Sequence, residues 1–589
     1  MLRRDLKRRL RMRSRLRSAG IAGVALLLAT GLAAARTQLD ATTLASGKYP
    51  RPVDFSAYAP SQDAVAPSHR FEGRLRLSGK PSTRTLVRND DFLDEGDASA
   101  ARTWPQDFDF AFVQDGQWLI PVERGPQPGS HPWWEFSVEP GRVWDEPGDG
   151  GLTRASVPFA LVQRNANCTH NGVLTFLFDD AGNVSRAAVQ VGSETCLYLQ
   201  LDIWGLLDAQ YLPGPVENAG ALVEAHRREV AARLPVKPIA ALAADHPGLV
   251  PGNLAIGDAR ARSTHGFVFD GIHYRGGCPT RHGEYPWCEA LLVPSYSLAK
   301  SVVAGLAAMR LERLYPGILD QPVGRHVPAS GCHGEKWRGR TLRHLLDMAT
   351  GQYDSPAYMA DEDDERAGLF FAADSHAGRL AFACEAYPER EAPGRRWVYH
   401  TSDTYLLGTA LQHALRAIPG REHDDVFDDV LWADVLGPLG LSPTARHTRR
   451  SYDDARQPFF GWGLTLLPDD LAKLGAFLAR GDGRIGERQV LDPGLLAAAL
   501  QRDPADRGLQ AATLADYRYQ HGFWARNLET QLGCGAPAWV PFLSGFGGIT
   551  LVPFANGAAW YGVADDGLLP SILFERPAME AAKLGALCR

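Results

Sequence analysis

Lysine is scarce in this chain of 589 residues: eight of the 62 basic side chains, the rest being arginine. Also missing are CxxC pairs, so no zinc-type ligand group is legible and no metal or cofactor is expected. Internal repeats and low-complexity tracts are absent too, which excludes solenoids and disordered linkers. Hydrophobic content of 45% and charged content of 22% describe an ordinary globular protein with ample chain for a core.

Positive charge is concentrated at the start. Residues 1–17 carry nine basic side chains against one acid, Asp5, and seventeen apolar or small residues follow, Ala19–Ala35. This is the layout of a secretory leader, a basic segment, an apolar segment and small residues at the cut. Uncleaved, residues 19–35 are a candidate membrane anchor. Either form implies export to the periplasm or beyond, held at the inner membrane if the leader stays. Removing the leader's net +8 from the formal −6 leaves −14, which carries no electrostatic footprint for nucleic acid. All eight cysteines lie beyond the leader, an even number that suits disulfides in an oxidising compartment. Pairing neighbours in order gives Cys168–Cys196, Cys278–Cys288, Cys332–Cys384 and Cys534–Cys588, with the short Cys278–Cys288 loop the best constrained.

Two compositional regimes follow. Residues 36–235 are punctuated by short apolar or alternating runs, such as FEGRLRLSG at 71–79 and GVLTFLFDDAGNVSRAAVQV at 172–191, where FDDAGN reads as a hairpin turn. A sandwich or barrel is expected there. Its cluster Trp133, Trp134, Phe136 and Trp144 reads as strand packing rather than a ligand platform, and no catalytic set is visible in it. A helix is predicted over 217–234, a connector over 234–253, then a second unit over 240–589. That unit opens on a hairpin, STHGFVFDGIHYRGG, and ends on a strand–turn–strand, FGGITLVPFANGAAWYGVA. Helices are predicted between them at 297–312, 341–349, 402–416, 468–480 and 493–501, and a last one at 576–587, so one sheet is expected from the two ends of the unit.

One of the few lysines stands out. In PSYSLAKSVVAG (294–305), Lys300 lies three residues after Ser297, and no other lysine has a serine at that distance. At i and i+3 the two side chains share a helix face one turn apart. The helix is apolar around Lys300, so the charged amine is disfavoured and can lose its proton, which arginine does not do. A serine hydroxyl beside an amine that can take its proton is the arrangement of an activated nucleophile. A lysine snorkelling from a core helix is the plain alternative.

The surrounding segments resemble, in order, the serine β-lactamase and penicillin-binding superfamily, in its class C-related branch of esterases, D-amino-acid peptidases and nylon-oligomer hydrolases. They are PSYSLAKS (294–301), TLRHLLDMATG (341–351), APGRRWVYHTSDTYLLG (392–408), GWGLTLLPDDLAKLGAFL (461–478), YQHGFW (519–524) and SGFGGITLVP (544–553). The resemblance covers about 255–589. It implies an α+β fold, a β-lactamase-like antiparallel sheet flanked by helices and preceded by the separate β-rich unit. It implies Ser297 as nucleophile, Lys300 as base directly or through Tyr399, and Tyr405 as the substitute for Tyr399. It further implies an oxyanion hole from the backbone N–H groups of Ser297 and Ile549. Phe546, Gly547, Gly548 and Thr401 are the implied substrate contacts. Thr401 stands where the family's tyrosine motif has asparagine, and Phe546-Gly547-Gly548 stands where it has a basic Lys-Thr-Gly. The missing cation argues against β-lactams and D-Ala-D-Ala peptides and for a neutral or bulky small-molecule or peptide-like ester or amide. A penicillin-interacting peptidase or β-lactamase, and a non-catalytic binding protein of the same fold, are the competing readings. The acidic run DEDDER (361–366) reads as a solvated loop, and His344 and His400 as structural residues. Oligomeric state is not legible.

Overall fold

The structure is a computed structural model that describes residues 39–88, 99–328, 331–511, 514–567 and 574–588. The leader predicted at 1–35 lies outside the described residues. Among the described residues no helix is long and apolar enough to cross a membrane.

Alternation in the first half gives antiparallel strands. In β1 (Glu72–Ser78), Leu75 and Leu77 point inward while Arg74 and Arg76 point out, where both meet Asp109 at 2.8 and 3.0 Å. Nine more strands follow: β2 (Ser82–Arg88), β3 (Asp109–Asp115), β4 (Trp118–Pro121), β5 (Trp134–Val138), β6 (Gly141–Asp145), β7 (Thr153–Gln163), β8 (Thr169–Phe178), β9 (Ala187–Thr195) and β10 (Leu199–Pro213). Their order is β1-β3-β4-β6-β7-β8-β9-β10, and β10 pairs back onto β1 from Gly73↔Pro213 to Ser78↔Asp208. The sheet is therefore a closed barrel, which leaves those strands no free edge; β2 and β5 are added on β10 and β7. Side chains fill the interior, among them Phe71, Phe112, Phe159, Phe176 and Trp134. The tryptophan cluster is core, as expected: Trp133, Trp134, Phe136 and Trp144 are all buried.

Strands β7 to β9 are buried along their whole length because their outer face is covered as well. Ala160 and Val162 pack against Leu292 and Leu467 of the second half. Asn171 exchanges two hydrogen bonds of 2.9 Å with the backbone of Leu292, and the Trp287 indole donates to Ser156 at 2.9 Å.

The second half is built on a nine-stranded sheet. Its strands are β11 (Val236–Pro238), β12 (Arg262–Phe269), β13 (Ile272–Arg275), β14 (Leu509–Gln510), β15 (Tyr517–Gln520), β16 (Phe523–Asn527), β17 (Trp539–Gly545), β18 (Ile549–Pro553) and β19 (Ala559–Ala564). The order is β11-β13-β12-β19-β18-β17-β16-β15-β14. β12 pairs with β19, so the two ends of the unit do share one sheet. β11 falls within the predicted connector and adds the sheet's one parallel pairing. The longer α-helices among the described residues are α1 (Ala219–Ala231), α2 (Leu306–Leu314), α3 (Glu365–Ala372), α4 (His376–Glu385), α5 (Thr401–Arg416), α6 (Pro468–Arg480) and α7 (Glu575–Ala582). Helix α6 lies on one sheet face, where Gly475 approaches Ala559 and Leu551. The other face packs Phe267 and Trp560 against Ala578 and Ala581 of α7. All four disulfides pair neighbouring cysteines in order.

Candidate active site

The predicted helix over 297–312 is not uniform. A 3₁₀ turn, Tyr296–Leu298, leads into a π-helical turn, Lys300–Gly305, and only then into α2. Tyr296 has φ +40°, a left-handed conformation unusual for a bulky residue and held only where the surroundings enforce it. The turn is clamped on both sides. The Ser295 N–H donates to the Leu464 carbonyl at 2.8 Å, the Leu464 N–H donates to Ser295 Oγ at 3.1 Å, and Ser301 Oγ donates to the Gly522 carbonyl at 2.6 Å. The strained turn presents Ser297, which stays partly exposed, while Ser295, Lys300 and Ser301 are buried.

Three side chains converge. Lys300 Nζ lies 2.9 Å from Ser297 Oγ and 2.9 Å from Thr401 Oγ1, and 3.3 Å from the Gly461 carbonyl. The Tyr399 hydroxyl donates to Ser297 Oγ at 2.7 Å, and Lys300 Nζ sits 4.9 Å from the centre of the Tyr399 ring. The ring is braced by Trp524 at 6.2 Å. Tyr405 is elsewhere: it is fully buried and its hydroxyl pairs with His376 Nδ1 at 2.8 Å.

Burial sets the protonation states. It pushes the Lys300 ammonium down to about 8, partly opposed by the Glu362 carboxylate. The same burial, reinforced by Glu362, holds the Tyr399 phenol well above its usual range, so it stays protonated and acts as a donor. Among the described residues no carboxylate is in ion-pair contact with Lys300.

The acidic run corrects the sequence reading. Residues 363–366 are exposed as expected of a solvated loop, but the start of the run is not: Asp361 is buried and pairs with His400 Nε2 at 2.9 Å. Glu362 accepts the Thr401 N–H at 3.0 Å and also the Thr401 hydroxyl. Thr401 thus accepts from Lys300 and donates to Glu362, and is 2% exposed. It was expected to line the substrate site; its hydroxyl is instead committed beneath the amine. The run could not be read because charged residues in sequence usually mark solvent, and only the fold brings Glu362 under Thr401. His400 is structural as predicted, and His344 caps its helix by accepting the Thr341 N–H at 3.0 Å.

β17 lies against the nucleophile turn. A Cβ on Gly545 would come within 2.6 Å of the Ser295 carbonyl, so only glycine permits this approach. Ile549 is the cross-strand partner of Gly545 on β18. Gly547 and Gly548, at φ +89° and +126°, form the tight hairpin between these strands. Phe546 at its tip is 37% exposed and stands 5.6 Å from Tyr296 and 6.4 Å from Tyr198, a barrel residue. Among the described side chains next to this hairpin are Leu197, Tyr198, Tyr296 and Asp566, none of them a cation.

A family model described as "Beta-lactamase" matches residues 260–564, more than half of the chain. The chain belongs to the beta-lactamase family. This is a family of serine hydrolases, and the matched span contains every segment assembled around Ser297 except those of the barrel. Solved structures similar to this beta-lactamase family member include a penicillin-binding protein homologue from Caulobacter crescentus (19% identity, TM-score 0.40, 57% of this chain and 95% of that one). Others are a D-stereospecific amidohydrolase from a Streptomyces species (16%, 0.38, 54% and 94%) and a simvastatin synthase from Aspergillus terreus (16%, 0.39, 55% and 95%). No curated protein matches the chain.

Proposed function

We propose that this protein is an exported serine hydrolase that cleaves a neutral ester or amide through an acyl-enzyme on Ser297. The observation that carries the reading is the placement of Ser297 Oγ between a lysine amine at 2.9 Å and a protonated phenol at 2.7 Å. With its ammonium pushed down to about 8, Lys300 has a sizeable neutral fraction near neutral pH and accepts the serine proton directly. Oγ then bonds to the carbonyl carbon, and the oxyanion rests on backbone N–H groups, that of Ser297 and one from the β17–β18 hairpin near Ile549. Collapse breaks the bond to the leaving group, which takes a proton from Tyr399, and Tyr399 regains one from the Lys300 ammonium. Water then attacks the acyl carbon as Lys300 takes its proton, the bond to Oγ breaks, Oγ takes that proton back, and the acid is released. Thr401 and Glu362 hold the amine in place throughout.

The substrate class follows from the rim. Phe546, exposed at the hairpin tip over the buried rings of Tyr198 and Tyr296, offers aromatic surface where the family's basic residue would stand, which supports uncharged acyl or leaving groups over β-lactams. Four disulfides fit an oxidising compartment outside the cytosol.

Intact mass after a serine-reactive fluorophosphonate and, separately, after a penicillin tests the reading, with Ser297→Ala as control. The expected result is a phosphonate adduct that the mutation abolishes and no penicillin adduct. A penicillin adduct on Ser297 would transfer the reading to a penicillin-interacting enzyme. No adduct from either would leave the non-catalytic binding protein.

A further inference from the structure

The barrel reaches the nucleophile turn from two of its connections, through Asn167 and through Tyr198, whose side chain meets that of Tyr296. Two of its connections open on the same side, residues 164–168 between β7 and β8 and residues 196–198 between β9 and β10, and the Cys168–Cys196 disulfide ties them together. From the first, fully buried Asn167 reaches into the second half. Its Oδ1 accepts the Gly463 N–H at 2.6 Å and the Tyr296 N–H at 3.2 Å, and Ser295 Oγ lies 3.4 Å from it. Two backbone donors aimed at one atom identify that atom as the amide oxygen. Tyr296 is the left-handed residue directly before Ser297, and Gly463 lies two residues after Gly461, whose carbonyl faces Lys300. Asn165 grips the same segment, its carbonyl accepting the Trp462 indole N–H at 2.8 Å. From the second connection, Leu197 lies against Gly547 and Tyr198 against Phe546.

We infer that Asn167 is a positioning residue for catalysis: its amide oxygen locks the strained turn that aims Ser297 and the segment that faces Lys300, and the Cys168–Cys196 disulfide holds Asn167 in reach. A left-handed tyrosine persists only when its surroundings over-determine it, and the bond to its N–H is one of those determinants. Release of that bond lets the Tyr296 backbone relax, and relaxation moves Oγ away from the amine and the phenol. An error of about 1 Å in a nucleophile is enough to cost about a hundredfold in rate. The inference rests on the proposed serine-hydrolase reading.

The test uses the full exported chain and begins with fluorophosphonate labelling of the wild-type protein at Ser297, followed by hydrolysis of p-nitrophenyl butyrate. Asn167→Leu removes the acceptor at similar volume. It should lower kcat and the labelling rate by about a hundredfold while KM stays within about threefold. Asn167→Asp keeps an acceptor oxygen in the same place, whether ionised or protonated, and should restore most of the rate. If Asn167→Leu does not fold, Asn167→Gln serves: it carries the same groups one methylene further out and should lose at least tenfold in kcat. Wild-type rates in Asn167→Leu or Asn167→Gln overturn the inference. So does a loss in Asn167→Asp as large as in the other two, since packing rather than the acceptor would then be responsible. Failure of the wild-type protein to label at Ser297 overturns the hydrolase reading itself, and this inference with it.

Discussion

At the scale of single residues the site is a problem of keeping one amine neutral. Lys300 is surrounded by apolar helix and its ammonium falls to about 8, while Glu362, reached through Thr401, opposes that fall. In the proposed mechanism the neutral amine is the active form, so kcat/KM should rise with pH along a limb near that value. Glu362→Gln removes the charge that stabilises the ammonium. The limb should therefore move to lower pH, with the variant gaining on the wild-type protein below the limb. A kcat/KM profile from about pH 5 to 10 checks this. A limb that stays in place or moves to higher pH would rule out Glu362 as the opposing charge.

At the scale of elements, β17 runs close against the turn before Ser297. Gly545→Ala places a methyl 2.6 Å from the Ser295 carbonyl, which no rotamer relieves. Either the strand or the turn must shift, at about 1–3 kcal/mol of stability, and the rate of fluorophosphonate labelling at Ser297 should fall at least tenfold in protein that remains folded. An unchanged rate would show that the turn is insulated from the strand. These elements were unevenly legible. Helix α6 is where LPDDLAKLGAFLAR predicts it, because Pro468 and the acids of its first turn mark the start and Gly481 at φ +65° the end. The Asp270-Gly271 hairpin was equally plain, both residues having positive φ. Helices α3 and α4 were not foreseen. α3 begins within the acidic run, whose charge reads as solvent, α4 comes just after, and Phe370, Tyr405 and Trp462 pack together there across the fold. Ser297 and Lys300 were legible by their spacing, and Tyr399 through the family resemblance of its own segment. Glu362 and Asn167 were not, because each meets the site across a long stretch of chain and through a side chain that sequence gives no reason to single out.

At the scale of the whole molecule, the sequence suggests a β-rich unit that precedes a separate hydrolase along the chain, whereas the structure joins the two by buried charge. Arg449 of the second half pairs with Glu135 on β5, and its other nitrogen donates to the carbonyls of Gln163 at 2.6 Å and Val162 at 3.2 Å. Both charged side chains are shut off from water, at 6% and 2% exposure. Thr444 donates to Glu139, whose other oxygen lies 2.5 Å from Arg124. Ions buried in this way do little for net stability as pairs, but stranding one of them costs about 3–5 kcal/mol. Glu135→Gln should therefore lower the melting temperature by several degrees. The loss should fall on the whole chain rather than on one half, because the outer wall of the barrel is also a core wall of the hydrolase. Scanning calorimetry separates the possibilities. A single transition that moves down intact in Glu135→Gln is the expected result. Two transitions in the wild-type protein, or one shoulder moving while the other stays, would mean that the barrel and the hydrolase fold as independent units and that their shared wall is contact rather than common core.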